Sequence, residues 1–172
     1  MPITIDGSGS MSGGSASVLE TLQASTSGTA VSFNAVPSWV RRITISLAGV
    51  STSGTSVVIV QLGSTSYATS GYLCGAAGNS SGVANANYTT GFGIEAGASI
   101  AVAAAVRHGV ITIASLGGNT WAASGVVGYS NAASSSFFGG SIALAGVLDR
   151  VRLTTVNGTD TFDAGSVNLL YE

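Results

Sequence analysis

Apolar runs of four to eight residues, broken by Gly, Asn and Ser roughly every eight to fifteen positions, run through most of this chain. That rhythm leaves no segment long enough for an ordinary helix. It also excludes the strand–helix alternation of a parallel sheet. The Arg41 to Leu47 segment alternates Ile43, Ile45 and Leu47 with Arg42, Thr44 and Ser46, as a half-buried strand does. Val57 to Leu62 is continuously apolar over its first four residues, as a strand covered on both faces is. Further strands are expected at Ala30 to Phe33, Gly71 to Cys74, Val110 to Leu116, Thr120 to Val127, Ser141 to Leu144, Val151 to Val156 and Ser166 to Tyr171. Ser99 to Val106 fits an Ala-rich strand or a helix, and its glycine flanks favour the strand. The expected fold class is all-β: an antiparallel β-sandwich, jelly-roll-like.

The connections follow the same logic. Asn34 to Ser38, Ser53-Gly54-Thr55 and Gly117-Gly118-Asn119 read as turns. Asn157-Gly158 between Val156 and Thr159 is a hairpin signal, because both central residues of a type I′ turn need positive φ. Gly75 to Gly91 and Asn131 to Phe138 read as surface loops. Residues 1 to 28 read as a Gly/Ser-rich N-terminal arm, with Val18 to Leu22 its one helical turn, and residues 29 to 172 as a single head domain.

Charge bounds the function. The chain has five Arg, no Lys and seven acidic residues, so charged side chains are 7 % of the total against roughly 25 % in an ordinary soluble domain. A surface this bare resists aggregation poorly unless copies of the chain cover it or it meets a neutral partner. With a formal net charge of −2, nothing is present to hold a polyanion, so nucleic acid is not an expected partner. The longest apolar stretch, Ile94 to Val106, is interrupted by Glu95, Gly97 and Ser99 and is too short to span a bilayer. No basic segment followed by an apolar run opens the chain, so synthesis in the cytoplasm is expected. The lone Cys74 excludes an internal disulfide and reads as a buried thiol.

Few residues offer chemistry. His108, the single histidine, sits beside Arg107 at an expected turn, and no Cys/His spacing suits a metal. Asp149, Asp160 and Asp163, with Arg150 and Arg152, suggest structural pairing first. Cation binding or acid/base work on a glycosidic bond are the weaker alternatives for those carboxylates. No catalytic set and no cofactor are expected. Tyr67, Tyr88 and Tyr129, with Asn79, Asn87 and Asn131, bring aromatic faces and neutral amides to expected loops, a combination that suits a glycan. Trp39, at the entry to a strong strand, is expected to be packed.

Several segments carry a resemblance. Met1-Pro2-Ile3-Thr4-Ile5-Asp6-Gly7-Ser8-Gly9-Ser10 resembles the leader of many phage structural proteins, and Val36-Pro37-Ser38-Trp39-Val40-Arg41-Arg42-Ile43-Thr44-Ile45 their P-S-W-V-[KR]-R-I-T segment. Gly49 to Thr52, Val60 to Gly63 and Thr69 to Tyr72 follow in the same order, and Leu148 to Val167 resembles the ending. On these segments the chain resembles the small β-rich domains of tailed-bacteriophage virion proteins, of tail-fibre, tail-needle-knob or head-fibre type. The resemblance implies a non-enzymatic virion component made in the host cytoplasm. It implies a homotrimer whose head attaches to host-surface glycan, with residues 1–28 docked on other virion proteins. Capsid decoration through that arm is the alternative role, and a small glycan hydrolase a third.

Overall fold

The computed structural model describes residues 4–5, 11–12, 17–79, 82–97, 102–103 and 105–172. Among them the chain is all-β with every strand pairing antiparallel and no helix. The strands are β1 (Thr4–Ile5), β2 (Met11–Ser12), β3 (Val18–Leu19), β4 (Gln23–Ala24), β5 (Ala30–Asn34), β6 (Arg42–Thr52), β7 (Val58–Ser64) and β8 (Ser66–Tyr67). They continue as β9 (Leu73–Asn79), β10 (Val83–Tyr88), β11 (Phe92–Gly93), β12 (Arg107–Gly117), β13 (Thr120–Tyr129), β14 (Ser135–Ala143), β15 (Arg150–Thr155) and β16 (Phe162–Tyr171).

β1 and β2 pair with each other. A nine-stranded sheet runs β10-β9-β14-β13-β12-β6-β16-β3, with β4 also on β16, and a five-stranded sheet runs β11-β7-β15-β5, with β8 on β7. The two pack together as a sandwich. Register explains the core. Ile113, Ile43 and Tyr171 are cross-strand neighbours, as are Ile111, Ile45 and Leu169, and all six are buried. From the other sheet Val31, Phe33, Val58, Val60, Leu62, Val151 and Leu153 join the same cluster. Each such aliphatic side chain contributes about 1.5–3 kcal/mol by leaving water. β7 is buried from Val58 to Gly63, with Ile59 on its far face against Tyr88, as its unbroken apolar run predicts.

Five expectations need correction. Gly75 to Gly91 is not a loop, since β9 and β10 pair across most of it. On β9 Cys74, Ala76 and Gly78 face inward and Leu73, Gly75, Ala77 and Asn79 outward, so the alternation is real but its middle is written in Ala and Gly on both faces. Likewise β14 begins at Ser135, inside the expected loop at Asn131 to Phe138. The turn at Asn157-Gly158 is closed by Gly158 N–H donating to Thr155 O at 3.0 Å, so Val156 and Asn157 are its central residues; of Asn157-Gly158 only the glycine has positive φ, at 68°, and the expected type I′ turn is not formed. The turn joins no hairpin, because β15 already has β5 and β7 on its two edges and the chain must cross to the other sheet. Val18 to Leu22 is not helical; β3 and β4 lie along β16, with the Ser25 hydroxyl donating to Ala164 O. Trp39 is 39 % exposed rather than packed. Of the Ser99 to Val106 segment, residues 99–101 and 104 lie outside the described residues, and the rest is not in strand.

Close backbone approach fixes two glycines. Gly49 and Gly165 have φ of 71° and 91°, and a Cβ on Gly165 would strike the Gly49 backbone where the bulged β6 and β16 meet. Among the described residues, the Tyr171 hydroxyl is the buried side-chain polar atom with no hydrogen-bond partner. Removing an orphaned hydroxyl relieves its desolvation cost. Tyr171→Phe is therefore expected to stabilise the fold by about 1 kcal/mol and raise Tm by about 2–4 °C, read by calorimetry.

Candidate functional site

The residues first considered for glycan contact do not gather in one place. Tyr67 lies on the five-stranded sheet. Its ring has the Arg152 guanidinium 4.2 Å and the Arg150 guanidinium 5.7 Å from its centroid, and its hydroxyl donates to Asn34 Oδ1 at 3.0 Å. The ring thus crosses the sheet above Gly63 as a strap, with one face taken by cations. A Cβ on Gly63 would strike the Ser66 backbone carbonyl and then Arg150 Cγ, so glycine lets β8 and Arg150 close over this point of β7.

Tyr88 is half-buried. Its hydroxyl donates to Glu95 O at 2.7 Å and accepts from Gly97 N at 2.9 Å, holding the chain after β11. Its ring lies where a Gly93 Cβ would be. Tyr129 is buried, with its hydroxyl 3.4 Å from Ser136 Oγ. Neither tyrosine is a loop aromatic free to stack on a sugar, because both send the hydroxyl inward. Asn131 Oδ1 accepts from Val106 N, and Asn79 Oδ1 from Ser135 N and its hydroxyl. Asn87 stands outward on β10, level with Gly75.

The carboxylates are engaged separately. Asp149 accepts from Arg150 Nε at 2.6 Å and from Thr65 N at 2.9 Å. The Arg150 bond holds its pKa below the usual carboxylate range. Asp160 accepts from Ser56 N and Asn157 Nδ2, and Asp163 from the Ser51 hydroxyl. Arg152 Nε donates to Gln61 Oε1. Among the described residues no three His, Cys, Asp or Glu side chains are grouped to hold a metal, and no helix is long and apolar enough to cross a membrane. His108 is on β12 rather than in a turn, with Nδ1 accepting from Gly49 N and Nε2 3.2 Å from Ser130 Oγ. Cys74 is a buried free thiol whose pKa is pushed up by burial.

Two features escape a residue-by-residue search for chemistry. The first is the ion pair of Glu95 and Arg107, both fully buried. Arg107 also donates from Nη2 to Glu95 Oε2 at 3.3 Å and from Nη1 to Ala105 O at 3.0 Å. The pair ties the segment after β11 to the start of β12. Opposite charges at the two ends of an otherwise apolar stretch are its trace in the sequence.

The second is the outer face of the nine-stranded sheet. Val110, Val126 and Phe137 are consecutive cross-strand neighbours on β12, β13 and β14, at 53 %, 61 % and 58 % exposure. Ala77 continues the row onto β9. Leu73, Val83 and Leu116 are exposed on the same sheet. Beside Phe137 lies a shallow groove of about 490 Å³, lined by Gly75, Ala77, Asn85, Asn87 and Gly139. The sequence signal is the apolar doublet: Val110-Ile111, Val126-Val127 and Phe137-Phe138 each put one apolar side chain on each face. Compared with known proteins, the chain matches no family model, no curated protein and no solved structure.

Proposed function

We propose that this chain is a non-catalytic structural component of a phage particle. It assembles as a homotrimer through the outer face of the nine-stranded sheet and presents the rest of the sandwich to host-surface glycan. The single observation that carries the reading is the row Val110–Val126–Phe137 on a face whose other outward residues are almost all Gly, Ala, Ser, Thr and Asn. Its charged corner, Arg42, is neutralised by Glu172 at 2.7 Å. Monomeric soluble domains seldom leave such a strip uncovered. A second copy fits it, since neither face repels the other by charge and the Phe137 knob stands beside a glycine-floored groove of matching chemistry. The virion setting and the three-fold count rest on the resemblance of Val36 to Ile45 and Leu148 to Val167 to phage head domains.

Light scattering coupled to gel filtration tests the assembly. The full chain is expected to run as a trimer at micromolar concentration. Val126→Asp, on the exposed face, is expected to give a monomer with unchanged circular dichroism. A monomeric parent protein, or a trimer indifferent to the aspartate, overturns the reading. Labelled trimer that adsorbs to host cells supports attachment. Labelled trimer that binds only purified capsids moves the role to decoration.

A further inference from the structure

A cleft of about 580 Å³ opens at one end of the sandwich, away from the three-residue apolar row. The turn after β5, the Gly117-Gly118 hairpin of β12 and β13, and Val147-Leu148 before β15 form its walls. Ser38, Arg41, Ser115, Asn119 and Trp121 bring its polar side-chain groups. Arg41 Nη1 donates to Ser38 O at 3.0 Å and to Val40 O at 2.9 Å. Those two carbonyls clamp the guanidinium across the turn and leave its Nε–Nη2 edge without a partner among the described residues. That edge is the one that grips a carboxylate with two parallel bonds. Of the five arginines, Arg42, Arg107 and Arg150 have carboxylate partners, and Arg152 is bonded to Gln61 and laid on Tyr67. Arg41 is the guanidinium held in place with no anion among the described residues.

Trp121 lines the same cleft and is 5 % exposed. Its indole N–H has no protein acceptor among the described residues, yet it is not an atom sealed from solvent. Asn119 adds a side-chain amide without a protein partner, while Pro37, Leu116 and Val147 supply apolar wall. Among the described residues no carboxylate lines the cleft.

We propose that this cleft binds a carboxylate-bearing sugar, with Arg41 gripping the carboxylate, the Trp121 indole N–H donating to a ring hydroxyl, and Pro37, Leu116 and Val147 taking the apolar face of the ring. The volume suits a ring or two. A lining that mixes apolar side chains with hydroxyl, amide and guanidinium groups in a compact cleft favours a sugar ring over an extended acidic peptide, which would ask for a run of backbone partners. The inference deepens the host-surface reading above. The cleft shares Leu116 with the edge of the outer face, but Val110, Val126 and Phe137 do not line it, so Val126→Asp tests the trimer and Arg41→Gln the cleft, and the two fail separately.

Calorimetric titration of the full chain tests it with four probes: a glucuronate-bearing tetrasaccharide, a sialyl trisaccharide, their carboxyl-reduced forms, and a short Glu-containing peptide. At least one acidic sugar is expected to bind tenfold or more tightly than its reduced form, with affinity falling as salt rises. Arg41→Gln is expected to abolish that preference without changing Tm, and Arg41→Lys to restore part of it. Binding of neither acidic sugar, equal binding of acid and reduced forms, or an unchanged Arg41→Gln variant overturns the assignment. A peptide that binds as tightly as the sugars removes the sugar and keeps only the anion. Light scattering on the same samples separates the readings, because a monomer that binds acidic sugar ends the trimer and keeps the cleft.

Discussion

Replacing Arg107 alone by methionine is expected to destabilise the protein by about 3–5 kcal/mol at pH 7, a third or more of the stability of a typical domain. The cause is the partner left behind. Glu95 is fully buried, and burial already pushes its pKa up while Arg107 pulls it back. Without Arg107 the carboxylate has no cation, and its folded-state pKa rises further above the unfolded value. A carboxyl with a raised folded pKa loses stability as pH climbs through that window, because the folded state must give up a proton it holds more tightly than the unfolded chain does. The deficit of the variant is therefore expected to be small near pH 4 and to grow toward pH 7. Urea unfolding at the two pH values measures it, and a deficit that does not change with pH removes Glu95 from the explanation.

The pair double variant sharpens the point. Glu95→Leu with Arg107→Met takes both charges out of the core and leaves no unpaired charge, although Ala105 O loses its Arg107 donor. It is expected to recover most of the loss, as buried ion pairs replaced by apolar residues of similar volume do. The stabilising work at this place belongs to burial of the segment after β11. The ion pair, with the Tyr88 bonds to Glu95 and Gly97, sets which way that segment lies.

How legible this was from sequence depended on how loudly each face spoke. Ile43, Ile45 and Leu47 announce β6 because Arg42, Thr44 and Ser46 contrast with them. Gly117-Gly118 marks the β12–β13 hairpin because Gly118 sits at positive φ and Gly117 pairs with Thr120. β9 was quiet because Ala and Gly occupy both of its faces, whereas β10 does alternate Ala84 and Ala86 with Asn85 and Asn87, a short signal hidden among Gly, Ser and Asn that read as loop. Asn157-Gly158 marked a change of direction but neither the type of turn nor its consequence, for which edge of β15 is free is decided by residues a hundred positions away. The aromatic residues misled for a related reason. Tyr88 and Tyr129 stand among small polar neighbours that read as loop, while the fold turns their hydroxyls inward toward Glu95 O and Ser136 Oγ. The apolar doublets were the overlooked signal, because only the register shows that Val110, Val126 and Phe137 stand side by side.

Those inward tyrosines make alkaline pH the steepest route to unfolding. Burial pushes the Tyr72 and Tyr171 pKa values up to about 12, from 10.0, and moves Tyr129 in the same direction. A phenol with a raised folded pKa contributes its full stability below the unfolded value, near pH 10, and loses it as pH rises toward the folded one. Between pH 10 and 12 each buried tyrosine costs about 1.4 kcal/mol per pH unit, so the three together remove about 4 kcal/mol per unit. The fold is expected to collapse cooperatively inside that window, with tyrosinate absorbance and loss of β-sheet circular dichroism rising together. Tyr72 is the strongest contributor structurally, since its hydroxyl accepts from Leu62 N at 2.7 Å and donates to Leu62 O at 3.3 Å, closing β7 over the ring. Tyr72→Phe removes one titrating group but leaves that buried N–H bare, so it is expected to weaken the fold by about 1–3 kcal/mol at neutral pH. Tyr171→Phe removes a titrating group and strands nothing, so it is expected to flatten the alkaline transition with no neutral-pH penalty. Tyrosines that all ionise near pH 10 in a protein whose sheet signal persists past pH 12 reject the argument, because their hydroxyls are then in water and not in the core.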